Sequence, residues 1–85
     1  MTFTEWVDKE VARQLAPTQV RDALVTEVRS VRMLVLVSVA NVAGVSLRTV
    51  QTLYRGARTS RADIASRVSE ATGGKVRLTD LLRAA

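Results

Sequence analysis

The stretch that most constrains this chain is VANVAGVSLRTVQTLYRG, Val39 to Gly56. It predicts two short helices joined by a tight turn. Gly44 supplies the turn, because glycine adopts positive φ without steric cost. Ser46 is placed to cap the following helix by accepting a bond from an unpaired backbone N–H. Val50 and Leu53, three residues apart, give that helix a seam to bury, while Arg48, Gln51, Thr52 and Arg55 fall off the seam. Gly56 stands where a C-terminal glycine closes a helix. A helix, a glycine turn and a short helix with cationic and amide side chains outward is the physical form of a helix-turn-helix that reads DNA.

The run Ala40, Gly44, Val45, Ser46, Val50, Leu53, Gly56 resembles the helix-turn-helix of the lambda-repressor/Cro type, an XRE-like family. In that pattern a small residue stands four before the turn glycine, apolar residues six and nine after it, and a closing glycine twelve after. The resemblance covers about Val20 to Thr72, and the tail ATGGKVRLTDLL is similar to the end of some Cro-like phage and bacterial regulators. It implies an all-α fold, a small bundle of five to six helices. It also implies sequence-specific binding of double-stranded DNA as a repressor-like transcriptional regulator, and a homodimer. The chain departs from the pattern at the first helix of the pair. The family usually opens that helix with Ser or Thr followed by a phosphate-binding Gln; here Val35 and Leu36 stand instead. Val37 and Val42 occupy places where charged residues are usual.

Eighty-five residues fit one domain with a small core, for which a second copy is a natural support. The expected layout is an extra N-terminal helix in residues 1–16, the helix-turn-helix in 35–56 and C-terminal helices in 60–85. There is no cysteine and no histidine, which removes disulfides, thiolate nucleophiles and the commonest zinc ligands. Glu5, Asp8 and Glu10 stand where a secretory signal needs positive charge, so a cytoplasmic protein is expected.

The net charge of +5 is unevenly placed. Residues 1–43 hold five basic side chains (Lys9, Arg13, Arg21, Arg29, Arg32) and five acidic ones (Glu5, Asp8, Glu10, Asp22, Glu27). Residues 44–85 hold eight basic and three acidic, so the whole excess lies from Gly44 onward. Between Arg48 and Arg61 there are four arginines and no acid. Such a field suits a polyanion; a merely solvated basic surface is the plainer alternative.

Along the chain, Phe3 to Leu15 predicts a first helix, with Thr2 and Glu5 as a capping box and Phe3, Val7, Val11 and Leu15 on one face. Trp6 beside them reads as a buried side chain rather than a binding hot spot. Pro17 ends this helix, and Thr18 to about Arg32 predicts a second, with Val20, Ala23, Leu24, Val28 and Val31 inward. Met33 to Leu47 carries no charge for fifteen residues. That is too short and too interrupted by Asn41 and Gly44 for a membrane span, which takes about 20 apolar residues. Alternating valines there also suit a buried strand; a helix over about Val35–Ala43 fits the turn better. A helix so apolar needs cover on more than one side, from the N-terminal helix or a second subunit. Ser60 to Thr72 predicts a further helix capped by Ser60 and Asp63, with Ile64, Ala65, Val68 and Ala71 inward. Gly73 and Gly74 end it, Lys75–Leu78 is expected to be extended, and Thr79 to cap a last turn that returns Leu81 and Leu82 to the core.

Placed in a major groove, the helix from Ser46 to Arg55 offers Arg48 to guanine O6 and N7 and Gln51 to adenine N6 and N7. Thr49 and Thr52 suit a base edge or a phosphate, Ser46 a phosphate when not capping, and Leu47 a thymine methyl. Arg55, Arg58 and Arg61 suit phosphate oxygens. Arg67, Arg77 and Arg83 read as surface, and Val50, Leu53 and Tyr54 as structural. A second functional class is a protein-interaction module that keeps the fold, antitoxin-like or a phage protein that holds a host factor; the apolar Val35–Val42 run favours it. An enzyme is not expected: no glycine-rich phosphate loop and no carboxylate pair in a recognisable cleft is present. No cofactor, metal or small-molecule ligand is implied.

Overall fold

The computed structural model describes residues 1–15 and 25–83. Within them the chain is all-α, a small bundle of five helices with no strand. The first is α1, Phe3–Gln14. Thr2 caps it, its Oγ1 accepting from the Glu5 N–H at 3.2 Å and donating to Glu5 Oε1 at 3.1 Å. Phe3, Val7 and Val11 are buried, and Trp6 stacks beside Phe3 with ring centroids 6.2 Å apart. Trp6 packs against the core, half-buried, as the helical spacing predicts.

The second element corrects the sequence reading. Two helices, ending near Arg32 and starting near Val35, were expected; one continuous helix, α2, runs over Val25–Ala43. Nothing in between can break it: Met33 and Leu34 are good helix formers, and no glycine or proline intervenes. The strand alternative is excluded by the burial pattern. Val35, Leu36, Val39, Ala40 and Ala43 are buried, the i, i+1, i+4, i+5, i+8 rhythm of a helix face. The expected break at Pro17 and the helix start from Thr18 to Leu24 lie outside the described residues.

Gly44 ends α2 at φ +69°. The N–H groups of Gly44 and Val45 both donate to the Ala40 carbonyl, at 2.9 and 3.1 Å, which satisfies an orphan acceptor of the helix end. A Cβ built on Gly44 meets nothing within 4 Å, so a side chain there suffers from the backbone angle alone. Gly44→Ala is therefore expected to lower folding stability by about 1 kcal/mol without changing the fold, measured by urea unfolding.

After the turn comes α3, Leu47–Tyr54, seated by Val50 and Leu53. Then α4, Ala62–Ala71, buries Ala65 and Val68. The last is α5, Leu78–Leu81. α1 packs on α2 and α3 of its own chain, and α2 also touches α3 and α4. One core therefore joins side chains from all five helices.

The C-terminal third departs from expectation at its caps. The N-cap of α4 falls one residue later than expected, at Arg61 rather than Ser60, with no side-chain cap bond. Thr59 fixes this point: its Oγ1 accepts from the Arg61 N–H at 3.1 Å, and its own backbone is held elsewhere. Of Lys75–Leu78, expected to be extended, Arg77 is so; Lys75 and Val76 form a bend, and Leu78 already belongs to α5. Val76, unmarked by any sequence pattern, is fully buried there. Ser69 Oγ donates to the Val76 carbonyl at 2.7 Å, and Thr72 Oγ1 accepts from the Val76 N–H at 3.2 Å. Thr79 lies inside α5 rather than capping it; Asp80 Oδ2 accepts from the Arg77 N–H at 3.2 Å.

The demand for cover over the uncharged part of α2 is met in part. α1 packs against α2, but Leu34 and Val42 remain 65% and 71% exposed, and Val37 half-buried. Among the described residues no helix is long and apolar enough to cross a membrane.

Candidate nucleic-acid interface

The outward surface of α3 follows from its seam. With Val50 and Leu53 buried, 3.6-residue periodicity puts Arg48 and Arg55 farthest from the core, flanked by Gln51 on one side and Thr52 on the other. Arg48, Thr52 and Arg55 are exposed, and Gln51 and Thr49 half-exposed. Leu47 is half-buried and packs against the core, which leaves part of it for an outside contact.

Ser46 caps α3 as its position predicts: its Oγ accepts from the Thr49 N–H at 3.2 Å and shares a hydrogen bond with Thr49 Oγ1 at 2.8 Å. The Thr52 hydroxyl donates to the Arg48 carbonyl one turn back, at 2.8 Å. A hydroxyl whose proton is committed to a carbonyl still accepts, so Thr52 suits an exocyclic base amine and must release its own bond to serve a phosphate. Gln51 Nε2 lies 3.9 Å from Met33 Sδ on α2, a weak contact that leaves the amide available.

Beside α3 lies an open groove of ≈ 390 Å³ between this helix and the start of α4. Arg48, Thr49 and Thr52 form its α3 wall, and Arg58, Thr59, Ser60 and Arg61 its far wall. Leu53 and Ile64 lie at the groove, and Arg83 joins from the C-terminal segment. Of the expected cationic residues, the fold gathers Arg48, Arg58 and Arg61 here; Arg55, at the C-cap of α3, is exposed outside it. Thr59, Ser60 and Arg83 are additions that sequence reasoning missed. Arg83 is 22 residues after Arg61, and only the return of the C-terminal segment brings it near.

The arginines are not equivalent. Arg61 is forked onto Asp63, Nε to Oδ1 at 3.3 Å and a terminal nitrogen to Oδ2 at 2.9 Å. That hydrogen bond holds the Asp63 carboxyl below its ordinary range, and it offsets much of the charge Arg61 presents. Arg48, Arg55, Arg58 and Arg83 have no ion pair among the described residues. Uncompensated cations gathered on one face make a local field that attracts polyanions.

The pose of α3 is fixed at its far end by Tyr54. Its hydroxyl donates to Asp8 Oδ1 at 2.8 Å, the Arg32 guanidinium lies over its ring at 5.5 Å, and its carbonyl accepts from Thr4 Oγ1 at 2.6 Å. Residues from α1 and α2 thus hold the last residue of α3. Burial, then the bond to Asp8, pushes the Tyr54 pKa up from 10.0. The fold therefore favours the neutral phenol, so this contribution is whole below about pH 10 and is lost as pH rises through the raised value. The melting temperature is expected to fall through that window, and Tyr54→Phe to flatten the fall. Since Tyr54 is the sole tyrosine, phenolate absorbance follows this one group.

Among the described residues no cluster of acidic side chains is placed to hold a metal ion. No family model, no curated protein and no solved structure matches this chain.

Proposed function

We propose that this chain is a double-stranded-DNA-binding protein that lays α3 in the major groove. More particularly, we propose a cytoplasmic, repressor/Cro-like transcriptional regulator that occupies an operator. The observation that carries this is the outward surface of α3: Arg48 and Arg55, without an ion pair among the described residues, flanked by Gln51 and Thr52 beside a groove lined by further arginines. Arg48 and Gln51 would read base edges, with Thr52 accepting from a base amine. Arg55 and Arg58 would bind phosphate oxygens, with Arg61 contributing less because of Asp63. One eight-residue helix contacts too few base pairs to specify a site, so a homodimer on a palindromic operator completes the proposal.

The test is fluorescence anisotropy on random-sequence duplex DNA across a salt series. Non-specific affinity falls with log salt at about −0.9 per phosphate neutralised, so three arginine contacts per protomer give a slope of about −3 for one protomer and about −5 for a bound dimer. Absence of binding at about 50 mM salt would contradict the proposal.

One observation favours the other class, a protein-interaction module. Leu34 and Val42 stand exposed on α2, two turns apart along the helix and about 80° apart around it. Retained solubility and an unchanged elution volume alongside absent DNA binding would shift the weight to that surface.

A further inference from the structure

We propose that Arg83 is a phosphate-binding residue, forming with Arg58 a backbone clamp on the side of the groove away from α3. The proposal rests on the DNA-binding reading and extends it to a segment that no feature of the helix-turn-helix specifies.

Backbone geometry places Arg83 at the groove. The Thr59 N–H donates to the Leu81 carbonyl at 2.9 Å, and the Arg83 N–H donates to the Thr59 carbonyl at 2.7 Å. These bonds form a parallel bridge between Thr59 and Leu82. Leu81, immediately before, is fully buried in the core, and Leu82 packs against it. The segment is therefore held on both sides, by core packing and by main-chain bonds to the loop that carries Arg58. Its side chain is exposed and lines the same groove as Arg48, Arg58 and Ser60.

Charge then distinguishes Arg83 from its neighbours. Arg61, closer in sequence, spends its guanidinium on Asp63; Arg83 and Arg58 make no ion pair among the described residues, although Arg58 also borders a second cleft that Asp80 lines. Two unpaired guanidiniums at one groove repel each other, and a phosphodiester at that groove relieves the repulsion while accepting from both. Because both backbone bonds are independent of the side chain, Arg83 can be replaced without releasing the segment.

The experiment compares the unsubstituted chain with Arg83→Ala, Arg83→Lys, Arg58→Ala and Arg67→Ala on random duplex DNA across a salt series. Arg67 is an exposed arginine on α4 that does not line the groove, and it controls for net charge. Arg83→Ala is expected to reduce the salt slope by about one unit and weaken binding roughly 3- to 10-fold at about 100 mM salt. Arg83→Lys should keep the slope, and Arg67→Ala should change neither. An unchanged slope in Arg83→Ala, with a reduced slope in Arg58→Ala, overturns the Arg83 contact and leaves DNA binding standing. Equal losses in Arg83→Ala and Arg67→Ala also overturn it, because they report net charge alone. If the unsubstituted chain does not bind DNA, the DNA-binding reading fails and the Arg83 contact fails with it.

Discussion

Leu53→Ala is expected to destabilise the fold by about 2–5 kcal/mol, the range for removing a buried leucine and leaving a cavity. Leu53 is one of two residues that seat α3, and it packs into the core that α1, α2, α4 and α5 share. A chain of this length has roughly 4–13 kcal/mol of stability at about 0.05–0.15 kcal/mol per residue, so this loss is a large share of the total. Chemical unfolding followed by circular dichroism measures it. Leu53 also lines the groove, so a partly folded variant should lose DNA affinity in proportion to its unfolded fraction. A loss below about 0.5 kcal/mol, as for a surface substitution, would mean that α3 is not held as described.

Arg48→Ala is the second large effect. At the preferred duplex it is expected to cost about 1–3 kcal/mol and to relax the preference at one base pair, because a bidentate guanine contact is lost. Arg58→Ala should differ in kind: it should weaken all sequences alike and reduce the salt slope by about one unit. Both residues are exposed and make no ion pair among the described residues, so neither substitution should change the unfolding free energy by more than about 0.5 kcal/mol. Equal losses for the two variants on specific and random DNA would contradict their separate roles.

Much of the frame was legible in the sequence because its signals are local. Thr2 and Ser46 both cap the helices they precede, and Gly44 takes the positive φ its position demands. The Val50–Leu53 seam followed from spacing three apart on a short helix. What escaped depends on segments meeting across the chain. The merger of two expected helices into α2 was hidden because a long uncharged run suits a strand, a short helix and a long helix equally until its partners are known. The start of α4 is set by Thr59, whose backbone bonds reach Leu81 and Arg83 some 22 to 24 residues on. Val76 is core without belonging to any periodic run, since it stands alone in a bend. Arg83 looked like one surface cation among three for the same reason, because a pairing between a loop and a distant tail leaves no trace in spacing.

We propose that the outward surface of α3 reads a DNA sequence. Selection of tight-binding duplexes from a random pool, at one fixed salt concentration, tests it most directly. The expected result is one enriched sequence, arranged as a palindrome, with a guanine whose enrichment disappears when the selection is repeated with Arg48→Ala. Binding without enrichment of any sequence would contradict it, and would leave a protein that holds DNA by its phosphates alone.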